Sequence, residues 1–179
     1  QELKGNALSE FLLKKTGQTW DNVIEKSATI DSIDERSIAQ FIFDAKRSGR
    51  LPVDDDLSTQ SLLEKLCLIE GGKLKRAGIT LFGKDAGRFY TGMAVKIGRF
   101  SGPEEDLIFQ EIVEDNLITL LSEVPNQLNR KFFIKAIDFE GLHRIERGEY
   151  PIAALREMLL NALVHRNHMG SIVQIRLYD

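Results

Sequence analysis

The sequence predicts an α+β fold, with helices packed on small mixed and antiparallel sheets. Three observations carry that reading. Five stretches repeat apolar residues at helical spacing, at 7–15, 34–48, 58–66, 106–124 and 152–165. Shorter β-rich stretches lie between them, at 23–30, 93–100, on either side of Glu140-Gly141, and at 171–178. The 179 residues are 42% apolar and 28% charged, the balance of a globular chain able to bury a core.

The elements follow in order. "ALSEFLLKK" reads as a short helix and "VIEKSATI" as a strand. In "DSIDERSIAQFIFDAKRSG" the capping candidates Asp31, Ser32 and Asp34 precede Ile38, Phe41, Ile42 and Ala45 at i, i+3, i+4, i+7. Gly49 and Pro52 close that helix. Ser58 or Thr59 caps the next one, whose stripe is Leu62, Leu63 and Leu66 and whose stop is Gly71-Gly72. Two short helices, a glycine turn and the basic "KLKRAG" resemble a winged helix-turn-helix over 34–76, with Gln60 and Lys65 but no Arg to read base edges. Residues 77–90 fit helix or strand, and "MAVKIGRF" alternates as a half-buried strand. "DLIFQEIVEDNLITLLSEV" aligns Phe109, Ile112, Val113, Leu117, Leu120, Leu121 and Val124 on one helical face, with acids opposite. Two strands are expected around Glu140-Gly141, Pro151 suits a first helical turn, and "SIVQIRLY" alternates as a closing strand.

Several function classes are excluded or disfavoured. Neither a secretory leader nor an apolar run long enough to span a bilayer is present in the sequence, so no membrane partner is expected. Cys67 is the one cysteine, which rules out an internal disulfide and a multi-cysteine zinc site. Among leucines it reads as a buried structural thiol, and a single thiol suits a reducing, cytoplasmic setting. Charge is segregated: residues 73–99 hold seven bases and one acid, whereas 100–126 hold seven acids and no base. Such runs neutralise each other within the fold, pair between copies in a homodimer, or offer a basic face. In the dimer reading, Phe109, Val113 and Leu117 form the dry centre of the contact.

The chemistry concentrates in "ALREMLLNALVHRNH". At about 100° per residue, leucines cover most of this helix, while Glu157, Asn161 and His165 climb the remaining side at i, i+4, i+8. A carboxylate and an amide one turn apart suit a cleft that takes Mg-nucleotide. The amide oxygen is a hard donor for Mg²⁺, and the carboxylate can orient water near a terminal phosphate. The structural alternative is a stripe hydrogen-bonded to a neighbouring strand or loop. Zinc is disfavoured, because His165 and His168 lack the intervening glutamate of a zinc helix.

"YPIAALREMLLNALVHRNHMGSIVQIRLYD" closely resembles the opening of the divergent GHKL-type ATP-binding domain that follows a Schlafen/AlbA-like domain in bacterial transcriptional regulators, a family also labelled ATP-dependent DNA helicase-related. Tyr150, Pro151, Arg156, Glu157, Asn161, Ala162, His165, Arg166, Tyr178 and Asp179 stand at the signature positions; Asn167-His168 departs from the usual Asp-Tyr. Upstream, "KLKRAGITLFGKDA" and "AVKIGRF" resemble the family's linking region, and "LLKKTGQTWDN" the tail of its Schlafen-like domain.

The resemblance implies three parts: residues 1–30 as the Schlafen-like tail, 31–149 as a linking α+β domain, and 150–179 as a truncated GHKL helix–strand unit. It makes Glu157 the catalytic residue that positions water, Asn161 the Mg²⁺ ligand, and Asn161, His165 and Arg166 the ATP-contacting residues. It also implies that adenine recognition and the glycine-rich lid lie beyond Asp179, that DNA is bound by regions outside this chain, and that any ATPase activity belongs to the full-length protein. The competing expectation is a non-catalytic dimerisation or DNA-binding module with a vestigial ATPase scaffold.

Overall fold

The computed structural model describes residues 5–49, 57–102, 106–133, 136–140, 143–147, 150–167 and 170–178. Pro52, Gly141, His168 and Asp179, each singled out above, lie outside the described residues. The fold is α+β. It divides into two compact units, the first of residues 1–90 with 115–118, the second of residues 91–114 with 119–179. Ile24 bridges Lys75, Ile33 bridges Gly83, and residues 173–178 pair with 95–100.

In the first unit, α1 (Asn6–Lys15) is followed by 3₁₀ turns at Trp20–Asn22 and Ile30–Ser32. The expected strand at 23–30 is absent apart from the single bridge at Ile24, because a turn and the second 3₁₀ segment interrupt it. Helix α2 (Glu35–Ser48) starts where Asp34 accepts hydrogen bonds from the N–H groups of Arg36 and Ser37, and stops at Gly49 in the left-handed region. Helix α3 (Thr59–Lys65) is capped by the Ser58 hydroxyl, which accepts from Ser61 N–H. A two-strand hairpin, β1 (Ile69–Glu70) and β2 (Lys73–Leu74), turns through Gly71 and Gly72, both at positive φ.

Cys67 corrects the buried-thiol expectation, since it is exposed. Helix α3 ends at Lys65, Leu66 takes the cap position, and Cys67 follows at φ 57°, which turns its side chain out while Leu68 is buried. Helices α4 (Arg76–Phe82) and α5 (Ala86–Phe89) resolve the ambiguous 77–90 segment. Leu62, Leu63, Ile79 and Phe82 are completely buried and form the core of this unit. Each such side chain contributes roughly 1.5–3 kcal/mol relative to exposure.

The second unit is organised by a three-stranded sheet in the order β4-β3-β7, from β3 (Ala94–Ser101), β4 (Asp106–Glu114) and β7 (Val173–Tyr178). β3 runs antiparallel to β4 and parallel to β7. Here the single helix expected over 106–124 is overturned. Residues 106–114 form a strand, and only Leu117–Gln127 form a helix, α6. The apolar residues at 107, 109 and 113 also satisfy a two-residue period, and pairing with β3 selects it. Phe109, Val113 and Leu117 therefore form no single helical stripe.

Asp115 and Asn116 make the break. The Asp115 carboxylate accepts from Asn116 N–H, and the buried Asn116 amide donates to the Gly83 carbonyl at 3.1 Å. Pro125 removes a helical donor inside α6, and a π-helical turn follows at Leu128–Phe132, closed by Phe133 N–H on the Leu128 carbonyl. The expected hairpin is present as β5 (Ala136–Glu140) and β6 (His143–Arg147). Helix α7 (Ile152–Val164) precedes β7. Val95, Ile97, Leu120, Val124, Phe132, Leu159 and Leu163 form the buried core. Among the described residues no helix is long and apolar enough to cross a membrane.

Candidate functional site on helix α7

Helix α7 begins at Pro151, which takes the cap position with no side-chain cap. Leu159 and Leu163, one turn apart, are buried and fix which side of the helix faces its unit. Glu157 and Asn161 stand on the exposed side. They meet directly: the Asn161 amide nitrogen donates to Glu157 Oε1 at 3.1 Å. That bond occupies the amide nitrogen and orients the amide, leaving its carbonyl oxygen as an acceptor one turn from the carboxylate. The pair thus offers two oxygen groups side by side, the donor type that Mg²⁺ prefers.

The two remaining candidates lie where the helix ends. His165 is the cap residue that ends α7, with non-helical dihedrals, and its N–H bonds the Asn161 carbonyl. It is exposed and, through that i→i−4 bond, keeps the helical register with Asn161. Arg166 turns inward instead. Its guanidinium donates to the Ala94 carbonyl at 3.3 Å and lies 3.4 Å from the Met93 sulfur. Burial lowers its pKa, and its Nε is buried without a hydrogen-bond partner among the described residues. Arg166 therefore ties the end of α7 to the start of β3, a positional role that spacing on α7 did not reveal.

The stripe is open rather than sunk in a cleft. Around it, Ile152, Met158, Leu160 and Val164 are all substantially exposed, so leucine-rich composition did not mean burial on every side. Among the described residues no group of three or more His, Cys, Asp or Glu stands where it could hold a metal ion. A cation on this helix would rest on the Asn161 carbonyl and the Glu157 carboxylate.

The first unit contains a second polar cluster, one that no local motif announces. Glu25 Oε1 accepts from the Ser27 hydroxyl at 2.7 Å and from Ser27 N–H, while Oε2 accepts from the Tyr90 hydroxyl at 3.0 Å and faces Arg76 Nε at 3.8 Å. Trp20 packs edge-on against Tyr90 and under the Arg76 guanidinium. Burial pushes the Glu25 carboxyl up, but the Ser27 and Tyr90 hydrogen bonds and the Arg76 charge outweigh it and hold the pKa below its ordinary value. Burial, then the Glu25 charge and hydrogen bond, drive the Tyr90 phenol far above its ordinary range.

Glu25 borders a groove of about 640 Å³ lined also by Lys26, Gln60 and Lys73. Gln60, offered above as a base reader, donates its amide to Glu64. The segregated charges are partly matched close by: Lys75 pairs with Glu70, Arg76 with Glu25, and Lys131 with Glu111.

No family model matches this chain, and no curated protein matches it. Its fold is similar to that in the crystal structure of the DIP2311 protein from Corynebacterium diphtheriae, with a TM-score of 0.63 and 20% identity. The likeness covers 93% of this chain but only 32% of that one, and it supports the arrangement of the elements.

Proposed function

We propose that these residues are the linking region and N-box helix of a cytoplasmic, ATP-binding bacterial transcriptional regulator of the Schlafen/AlbA–GHKL type. The observation that carries the reading is the Glu157–Asn161 pair, an amide oriented by a carboxylate one turn away on an open helical face. In this reading the Asn161 carbonyl ligates Mg²⁺ bound to ATP phosphates, Glu157 orients the water that attacks the terminal phosphate, and His165 lies near the phosphates. Arg166 acts from behind by holding the end of α7 on β3. DNA is held by a flanking domain.

Because the chain spans 32% of its structural neighbour, any catalysis belongs to the whole protein. The 179 residues should bind Mg-ATP poorly, since one amide and one carboxylate cannot replace the phosphate and water ligands this ion demands. Isothermal titration of the 179 residues should therefore show no sub-micromolar binding. In the full-length protein Asn161→Ala should abolish Mg-dependent binding. Glu157→Ala should spare binding and slow turnover, because metal ligation serves the ground state and water activation the transition state. Turnover unchanged by Glu157→Ala would favour the scaffold-only alternative.

A further inference from the structure

We infer that the open face of the β4-β3-β7 sheet is a stacking platform for single-stranded nucleic acid. The inference goes beyond the nucleotide reading and uses no residue of α7. One face of the sheet is inward: Val95 and Ile97 are buried, the Phe109 ring meets Phe132, and the Arg99 guanidinium bonds the Phe132 carbonyl. Alternation then sends the intervening side chains to the opposite face.

The register places those side chains in rows across the three strands. In one row Phe100 stands between Leu107 and Tyr178. The Phe100 and Tyr178 rings are stacked, with centroids 5.4 Å apart and planes 24° apart. In the next row Gly98 lies beside Arg176. A Cβ at Gly98 would meet the Phe100 ring at 3.0 Å, so the missing side chain is what lets that ring lean back along β3. The Arg176 guanidinium lies over the same ring at 5.9 Å and donates to Gln174. The third row adds Lys96 beside Gln174.

Across these three rows there are two aromatics, two cations and no acid, in a chain whose net charge is −3. The ladder's acids are Asp106 opposite Ser101, Glu111 opposite Ile97 and Glu114 opposite Ala94, none of them in these three rows. Tyr178 is 53% exposed on β7, the edge strand among the described residues, and β7 turns each of its even-numbered side chains outward. An exposed ring, Tyr178, backed by the half-buried Phe100 and flanked by cations, is the chemistry that takes an unstacked base on its outer face and phosphates beside it. A duplex, whose bases are already stacked, cannot use the rings. The charge pattern disfavours an acidic protein strand as occupant, because it would leave the aromatic shelf without a partner.

Fluorescence anisotropy on the 179-residue chain tests this with a short labelled oligothymidylate, its oligouridylate counterpart, and a duplex of equal length. Binding of either single strand, tighter than the duplex, is expected. Tyr178→Ala should weaken it about tenfold, the effect of removing one stacked base. Arg176→Glu should weaken it and reduce the salt slope by about 0.7 for each phosphate that is no longer neutralised. Thermal unfolding by circular dichroism checks that the variants fold. If Tyr178→Ala does not fold, Lys96→Glu combined with Arg176→Glu decides, with abolished binding in support and retained binding against. The proposal is overturned by no single-strand binding at low salt, or by equal duplex binding insensitive to Tyr178→Ala. It is also overturned by a salt-stable dimer that Ile112→Asp disrupts in a chain that binds no oligonucleotide.

Discussion

Glu25 and Glu157 are both hydrogen-bonded carboxylates, and the contrast between them separates a group the fold uses from a group the fold leaves available. Glu25 is drawn into the first unit by hydrogen bonds and a cation from three residues, Ser27, Tyr90 and Arg76. Its lowered pKa records that the surroundings favour the charged form despite burial. Glu157 has one neighbourly hydrogen bond, from Asn161, and stands in solvent. A carboxylate committed on both oxygens is structural. One that keeps an oxygen and its exposure can meet a ligand.

The largest expected effect comes from breaking the committed side. Glu25→Ala leaves the buried Tyr90 hydroxyl without its acceptor and the Arg76 guanidinium without its counter-charge, and should cost roughly 2–3 kcal/mol. Tyr90→Phe removes only a hydroxyl whose acceptor keeps its other partners, and should cost about 1 kcal/mol. Urea titration of both variants checks the order. Equal costs would mean that Arg76 contributes little.

This cluster shows why part of the molecule was not legible in the sequence. Glu25 and Tyr90 are separated by 65 residues, and nothing local to either announces the other. Helix α2, by contrast, was readable because its signals are local: Asp34 caps its own next residues and Gly49 supplies the left-handed stop. At 106–114 local information was ambiguous, and the strand was selected by a partner, β3. On α7 the helix and the i, i+4 spacing of Glu157 and Asn161 could be read, but exposure could not. Leucine content records where a helix could be covered, not what covers it. Arg166 shows the same limit, since its acceptor, Ala94, lies 72 residues away.

A smaller effect follows from acid. The folded pKa of Glu25 lies below its ordinary value. Its contribution to stability is therefore complete above the ordinary carboxylate pKa and fades as pH falls through the lowered one. Urea midpoints should decline over that acidic window, and Glu25→Gln should flatten the decline. An unchanged slope in Glu25→Gln would place the acid sensitivity in other carboxylates.

The smallest effect sharpens the comparison from the other side. Glu157→Ala and Asn161→Ala each remove an exposed partner of one solvent-facing hydrogen bond, next to no buried polar atom of their own. Water replaces the missing partner, and alanine favours a helix over asparagine by a few tenths of a kcal/mol. Neither variant should move the unfolding free energy by more than about 0.5 kcal/mol. That near-silence is informative, because a residue that costs nothing to remove from the fold but abolishes Mg-dependent nucleotide binding in the full-length protein has no structural excuse. A stability loss comparable to that of Glu25→Ala would instead place the Glu157–Asn161 pair among the groups the fold consumes, and the N-box reading would lose its carrying observation.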